Sequence, residues 1–299
     1  MASTTAHGTT PNNSVMLVLV ICAVLFAMSS AAIAAVGGGA ILAITILVGI
    51  TFAFVHGAQI YGLKKMLIFF GIVFVISVFY ETLSIKTGFP FGHYNYSQEN
   101  YPGPWLGVVP LLIMPAYFAA GYSAWIISLA IHGKMNGTIS GAERFTVPLL
   151  AMFAMVSWDM SIDPNKATIS QLWIWHDGGV YFGVPFVNFM GWYLCVFTFF
   201  WVFTHFLSRN NQDTLSSEAK PATRKLWFWA LPVIVFLSRM LEFVVDWATR
   251  PNTQITSNDG HVWWTGDIYG SLVLVCISTM VMISTVALVI ISRQREGRS

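Results

Sequence analysis

An all-α, polytopic membrane bundle of about eight transmembrane helices is the fold class this sequence predicts, and three observations carry the prediction. Of the 299 residues, 56% are apolar and 9% charged, where a soluble domain carries about a quarter charged residues. Eight apolar runs of 18 to 26 residues follow one another, at 14–36, 40–60, 66–85, 106–131, 145–162, 185–207, 226–247 and 268–291. No polar stretch between them is long enough for a soluble domain, so 1–299 reads as a single integral domain. A hydrocarbon core of about 30 Å takes about 20 helical residues to cross, so every run suffices, the fifth only just. Backbone groups in lipid need internal partners, which makes the runs helices, whereas a barrel would show alternating segments of about ten residues.

The first run has two readings. Ser29 to Ala35 resembles the small-residue end of a signal peptide, but the first basic residue is Lys64. A signal peptide wants a charged start, so a retained helix is expected. Gly37-Gly38-Gly39 then turns into the second run. With eight spans, one face collects eleven of the fifteen Lys and Arg residues, including Lys64, Lys65, Lys134, Arg144 and Arg209. The opposite face holds Lys86, Lys166 and Arg250, and Arg239 falls within the seventh run. Basic residues are retained in the cytoplasm, so both termini are expected there and the acid-rich connections on the other face.

Polar residues 210–223 read as a flexible cytoplasmic loop, and 293–299 as a basic tail suited to anionic lipid. The glycosylation patterns at Asn12, Asn95 and Asn136 are short enough to arise by chance. Cys22, Cys195 and Cys276 lie inside apolar runs without metal-site spacing and read as packing residues. Scattered basic residues and the absence of any such motif argue against a nucleic-acid partner.

Chemistry is expected where ionisable residues enter the helices, because such groups are costly at membrane depth. Glu81 lies near the end of the third run, Asp159 and Asp163 one turn apart at the end of the fifth. Arg239, Glu242 and Asp246 share a face of the seventh, where Arg239 can pair with Glu242. Acids at helix ends can also simply face headgroup water, but three helices placing them at one depth point to a site. Asp159 and Asp163 repel if both are ionised, so one is expected to hold a proton, giving a general acid beside a base.

Two Gly- and Pro-rich aromatic segments supply the rest. The first runs from Thr87 to Tyr96 and contains His93 and Tyr94; Gly88, Pro90 and Gly92 force turns in it. The second runs from Asp163 to Trp192 and contains Trp173, Trp175, His176, Asp177, Tyr181 and Asn188. An interfacial aromatic belt accounts for scattered rings. The interleaving of His93, His176, Asp177 and Asn188 with glycines and prolines reads better as a pocket lining. His93, His176 and His261 lack metal-ligand spacing, so neither metal nor cofactor is expected.

In these segments the chain resembles the membrane carotenoid hydratase family, which includes the bisanhydrobacterioruberin hydratases. The matching blocks are Glu81 with Thr87 to Tyr96, Gly107 to Pro110, Pro115 to Tyr117, Asp163-Pro164, Trp173 to Trp175, Gly179 to Pro185 and Asn188 to Trp192. Tyr117 stands where that family is expected to carry Trp. The resemblance implies addition of water across the terminal trisubstituted double bond of a long polyene, giving a tertiary alcohol.

That reaction needs a proton donor, protection of a tertiary cation and a delivered water. Asp159, Asp163 or Glu81 could protonate the alkene, with Asp246 a further acid. Tyr94, Trp173, Trp175 and Tyr181 could present ring faces, Tyr96, Asn188, Trp192 and Glu242 could line the substrate site, and His176, Asp177 or His93 could deprotonate water. The lipophilic polyene would enter from membrane lipid. The nearest alternative is an isoprenoid cyclase or isomerase using the same acid without water; a proton-coupled transporter or a scaffolding role is the next. The polyene's identity and the oligomeric state are not legible in the sequence.

Overall fold

The structure is a computed structural model describing residues 11–36, 39–101, 103–135, 139–210, 223 and 225–296. Gly37, Gly38, Asn136, most of the 210–223 loop and residues 297–299 of the basic tail lie outside the described residues. Among the described residues, eight helices are long and apolar enough to cross a membrane.

Six spans are built from the helices α1 (Pro11–Val36), α2 (Gly39–Ile60), α3 (Leu63–Thr87), α4 (Ile113–Ile131), α5 (Glu143–Asp163) and α6 (Phe186–Asn210). A wide π turn, Pro164–Ile169, prolongs α5. The seventh span is α7 (Leu226–Ser238) followed by α8 (Leu241–Thr249). The eighth is α9 (Thr265–Val275), a second π segment (Cys276–Val281) and α10 (Met282–Glu296). α4 is the central helix, packed against α2, α3, α5, α7 and α10. The three cysteines are free and buried.

One end of the bundle carries three two-stranded antiparallel ribbons: β1 (Tyr94–Tyr96) with β4 (Trp173–Trp175), β2 (Trp105–Leu106) with β3 (Val109–Pro110), and β5 (Gln254–Thr256) with β6 (Val262–Trp264). We call this the ribbon end.

Three expectations from the sequence are corrected. The fourth helix begins at Ile113, not near 106, because Gly107 adopts a left-handed conformation and folds 105–110 into a hairpin. The seventh run is not continuous: Arg239 N–H and Met240 N–H donate to carbonyls three residues back, and this tight turn separates α7 from α8. Lys166 is not a loop residue, since the π turn carries it inside, where it is 6% exposed.

Candidate active site

The site is built on α3. Its buried residues Met66, Phe69, Val73, Ser77, Glu81 and Ser84 recur every three or four positions, so Glu81 lies on the inward stripe. The helix stops at Gly88, whose left-handed backbone donates its N–H to the Ser84 carbonyl at 2.7 Å. Ser84 Oγ accepts the Phe91 N–H and donates to the Gly92 carbonyl, both at 3.0 Å. That pair of bonds folds the first aromatic segment back over the helix end.

β1 then pairs with β4 in the register Tyr94–Trp175, Asn95–Ile174, Tyr96–Trp173. Side chains alternate along a strand, so Tyr94, Tyr96, Trp173 and Trp175 share one face of the ribbon. That face closes over a chamber of about 70 Å³ bounded by Glu81, Tyr117 of α4, Trp158, Asp159 and Asp163 of α5, and Asn188 and Trp192 of α6. α6 approaches the first aromatic segment closely at Gly191, where a side chain would meet Phe91 and the Pro90 backbone.

Glu81, Asp159 and Asp163 are 3%, 2% and 2% exposed. Their partners are neutral donors. Tyr94, Tyr96 (2.9 Å) and Tyr117 (2.6 Å) all donate hydroxyl hydrogens to Glu81. Burial first, and then the charge of Glu81, pushes the Tyr94 and Tyr96 phenols well above the ordinary tyrosine range, so both stay protonated donors. Asp163 accepts the Trp173 indole N–H at 2.7 Å and the Asn188 amide, and Asn188 also interacts with Asp159. Asp159 Oδ2 and Trp175 Nε1 are buried without a hydrogen-bond partner. Buried polar atoms are normally satisfied, so two lining residues of one small chamber each retain an open position.

Rings enclose the acids. Tyr117 stacks on Trp192 at 4.5 Å, Tyr94 lies 4.7 Å from Trp175, and Trp158 lies 6.3 Å from Trp192, between ring centroids. An apolar slot of about 110 Å³ adjoins the chamber and shares Ile113, Ala116, Trp158, Ile162 and Trp173 with it. It gives an apolar chain a way to the acids.

Of the candidates read from the sequence, the structure gathers Glu81, Asp159, Asp163, Tyr94, Tyr96, Trp173, Trp175, Asn188 and Trp192 around one chamber. It does not bring in the others. His93 and Asp177 face each other at 3.3 Å with side chains 59% and 75% exposed. The exposed His176 ring bonds Asn95 at 2.6 Å, because its backbone pairs with His93 past the end of the ribbon. The Tyr181 hydroxyl is taken by the Met160 carbonyl at 3.1 Å. Glu242 and Asp246 border a different cavity, because α8 packs on α1 and α9. As expected, Glu242 pairs with Arg239, at 2.5 Å, and it also pairs with Lys166. Asp246 accepts from Asn165 at 2.9 Å and Arg250 at 3.2 Å. Sequence reasoning missed Trp158 and the role of Tyr117 as a Glu81 donor, although Trp158 adjoins Asp159 and Tyr117 lies in a matched block.

An apolar slot leading to a chamber of buried acids, inside a multi-pass membrane protein, is what the fold and site define, and comparison with known proteins supplies the family. A sequence profile described as "carotenoid biosynthesis protein" matches residues 41–249, and the chain belongs to that family. The match runs from α2 to the end of α8 and contains every chamber residue. Among relatives, the bisanhydrobacterioruberin hydratase of Haloarcula japonica is 30% identical over 115 residues, which cover 38% of this chain and 36% of that protein. No solved structure matches the chain.

Proposed function

We propose that the protein hydrates a terminal trisubstituted double bond of a long acyclic polyene, with Asp159 as proton donor and Asp163 as the base that takes the proton of the incoming water. The observation that carries the reading is the unequal partnering of the three carboxyl groups. Glu81 and Asp163 are surrounded by N–H and O–H donors, which occupy the acceptor positions of their oxygens. Asp159 has one oxygen with no donor, as suits a carboxylic acid presenting its own hydrogen to a substrate.

The alkene π pair takes the Asp159 proton at the less substituted carbon and leaves a tertiary cation. The faces of Trp158, Trp192 and Tyr117 and the carboxyl oxygens of Glu81 stabilise that charge. Water closes on the cation, and the proton it releases returns to the Asp159–Asp163 pair. One water is consumed and the acid is restored.

The unpartnered Trp175 indole N–H favours hydration over cyclisation, because it offers the water oxygen a fixed donor where a cyclase needs a dry wall. The site sits on the non-cytoplasmic side in this reading, with both termini in the cytoplasm. The reading is tested by expression in a host that accumulates an acyclic carotenoid. The expected pigment is heavier by one water and disappears in Asp159→Asn; unchanged pigments with wild-type protein would refute hydration of that class.

A further inference from the structure

The apolar slot beside the acid chamber has a construction that the proposed chemistry does not use. It follows one face of α4, where Ile113, Ala116, Ala120 and Ser123 recur every three or four residues. The seven residues from Ala116 to Ser123 carry it about 10 Å away from the ribbon end. Phe26 of α1, Ile46 of α2 and Phe236 of α7 close it on the other sides.

Elsewhere α4 is tightly packed, and Phe118, Tyr122 and Trp125 on it are fully buried. Ala116 and Ala120 keep accessible surface although five helices surround α4, because they border open space rather than a packed neighbour. Two polar groups open onto the same carbon-lined space. Tyr101 and Ser123 are 6% and 2% exposed, and neither hydroxyl has a hydrogen-bond partner among the described residues. Lys166 and Arg239 also border the slot, but Glu242 engages both. A buried hydroxyl without a partner is costly. A saturated chain leaves that cost in place, whereas the electron-rich face of a double bond accepts an O–H hydrogen weakly.

We propose that Ala116, Ala120, Tyr101 and Ser123 are specificity-determining residues for the chain that follows the reacting end of the substrate. The two alanines leave room for a slim acyclic isoprenoid segment, and the two hydroxyls favour its unsaturated form over the saturated chains of membrane lipid. Such discrimination is needed, because in a bilayer acyl chains are the abundant competitor. The inference rests on the reading of the acid chamber as a site for a polyene, and it adds what selects that polyene.

The full-length protein in a neutral detergent is melted with increasing squalene, an acyclic isoprenoid chain with trisubstituted double bonds, and with squalane, its saturated counterpart. Squalene is expected to raise the midpoint by several degrees at concentrations where squalane leaves it within error. Ala120→Leu places side-chain carbons in the slot and is expected to lose the squalene shift; Ala120→Val serves as the second variant should leucine impair folding. Ser123→Ala keeps the room and deletes the hydroxyl, so squalene is expected still to bind, with its preference over squalane reduced about 2- to 5-fold. Mass analysis of the same samples reads hydration separately. A squalene shift lost in the Ala120 variants supports the slot assignment even if no hydrated product forms, an outcome that would count against the reaction alone. Equal shifts from squalene and squalane, or an undiminished squalene shift in both Ala120 variants, would overturn the assignment whatever the reaction.

Discussion

Two buried acidic groups lie at the same end of the bundle, and they are held in opposite ways. Around Glu242 and Asp246 every carboxylate is paired with Lys166, Arg239 or Arg250. Around Glu81, Asp159 and Asp163 no cation stands among the lining residues; the partners are phenols, an indole and an amide. An ion pair fixes a carboxylate as a charge and occupies it. Neutral donors orient a carboxylate while leaving it able to take or give a proton. The contrast teaches that buried charge at membrane depth marks a reactive site only after its partners are known.

Substitutions that are equivalent in chemistry should therefore differ in consequence between the two regions. The largest effect on turnover is expected from Asp159→Asn, a fall of about 10²–10⁴-fold in hydrated pigment with normal protein abundance, the range for loss of a general acid. Pigment analysis beside an immunoblot of membranes checks it, and near-normal product would remove Asp159 from the acid role. Glu242→Gln should act on folding instead. It strands Lys166 and Arg239, and losing one partner of a buried pair costs about 3–5 kcal/mol, to be seen as lower abundance and an earlier melt. The matching change Glu81→Gln keeps one oxygen for Tyr94 and Tyr96, while the Tyr117 hydroxyl can turn to accept from the new amide, so it should melt later than Glu242→Gln while losing product.

Smaller effects sharpen the same comparison. Tyr117→Phe removes one donor from Glu81, and a hydrogen bond contributes about 0.5–1.5 kcal/mol, so product formation should fall about 2- to 10-fold without loss of fold. Trp175→Phe keeps a ring and deletes the open N–H. A decrease of about 2- to 10-fold is expected, with the lost flux appearing as a cyclised isomer of unchanged mass.

The pH response is the mildest probe. Folding raises the Tyr94 and Tyr96 phenols above their unfolded range, so the stability linked to them is fully present below about pH 10 and is lost as pH rises beyond it. Melting in alkaline buffer should show that decline, and the Tyr94→Phe, Tyr96→Phe double variant should flatten it.

Much of this was legible in the sequence, for identifiable reasons. Continuous apolar runs determine how many times the chain can cross, so the eight spans could be counted before any coordinates. Glu81, Asp159 and Asp163 stood out because ionisable residues are rare at that depth. The two aromatic segments were visible as composition, but their meaning lies in pairing. Tyr-Asn-Tyr and Trp-Ile-Trp each place rings two residues apart, and only the antiparallel register brings all four onto one face.

What stayed hidden was tertiary. Hydropathy does not show that α5 continues past Asp163-Pro164 as a π turn and buries Lys166, nor that Glu242 and Asp246 border a cavity other than the acid chamber. His93, His176 and Asp177 drew notice as titratable residues beside glycines, yet the ribbon turns them to the exposed side. Partners chosen across helices decide these outcomes, and a single strand of sequence does not record them.

The central claim is that water captures a cation made by Asp159. Its most direct measurement is the mass of the pigment formed by the wild-type protein in heavy-oxygen water. The account predicts a product heavier than its precursor by one labelled water, with the label lost on dehydration of the tertiary alcohol and no product from Asp159→Asn. A wild-type product of unchanged mass and without label, still dependent on Asp159, would contradict it.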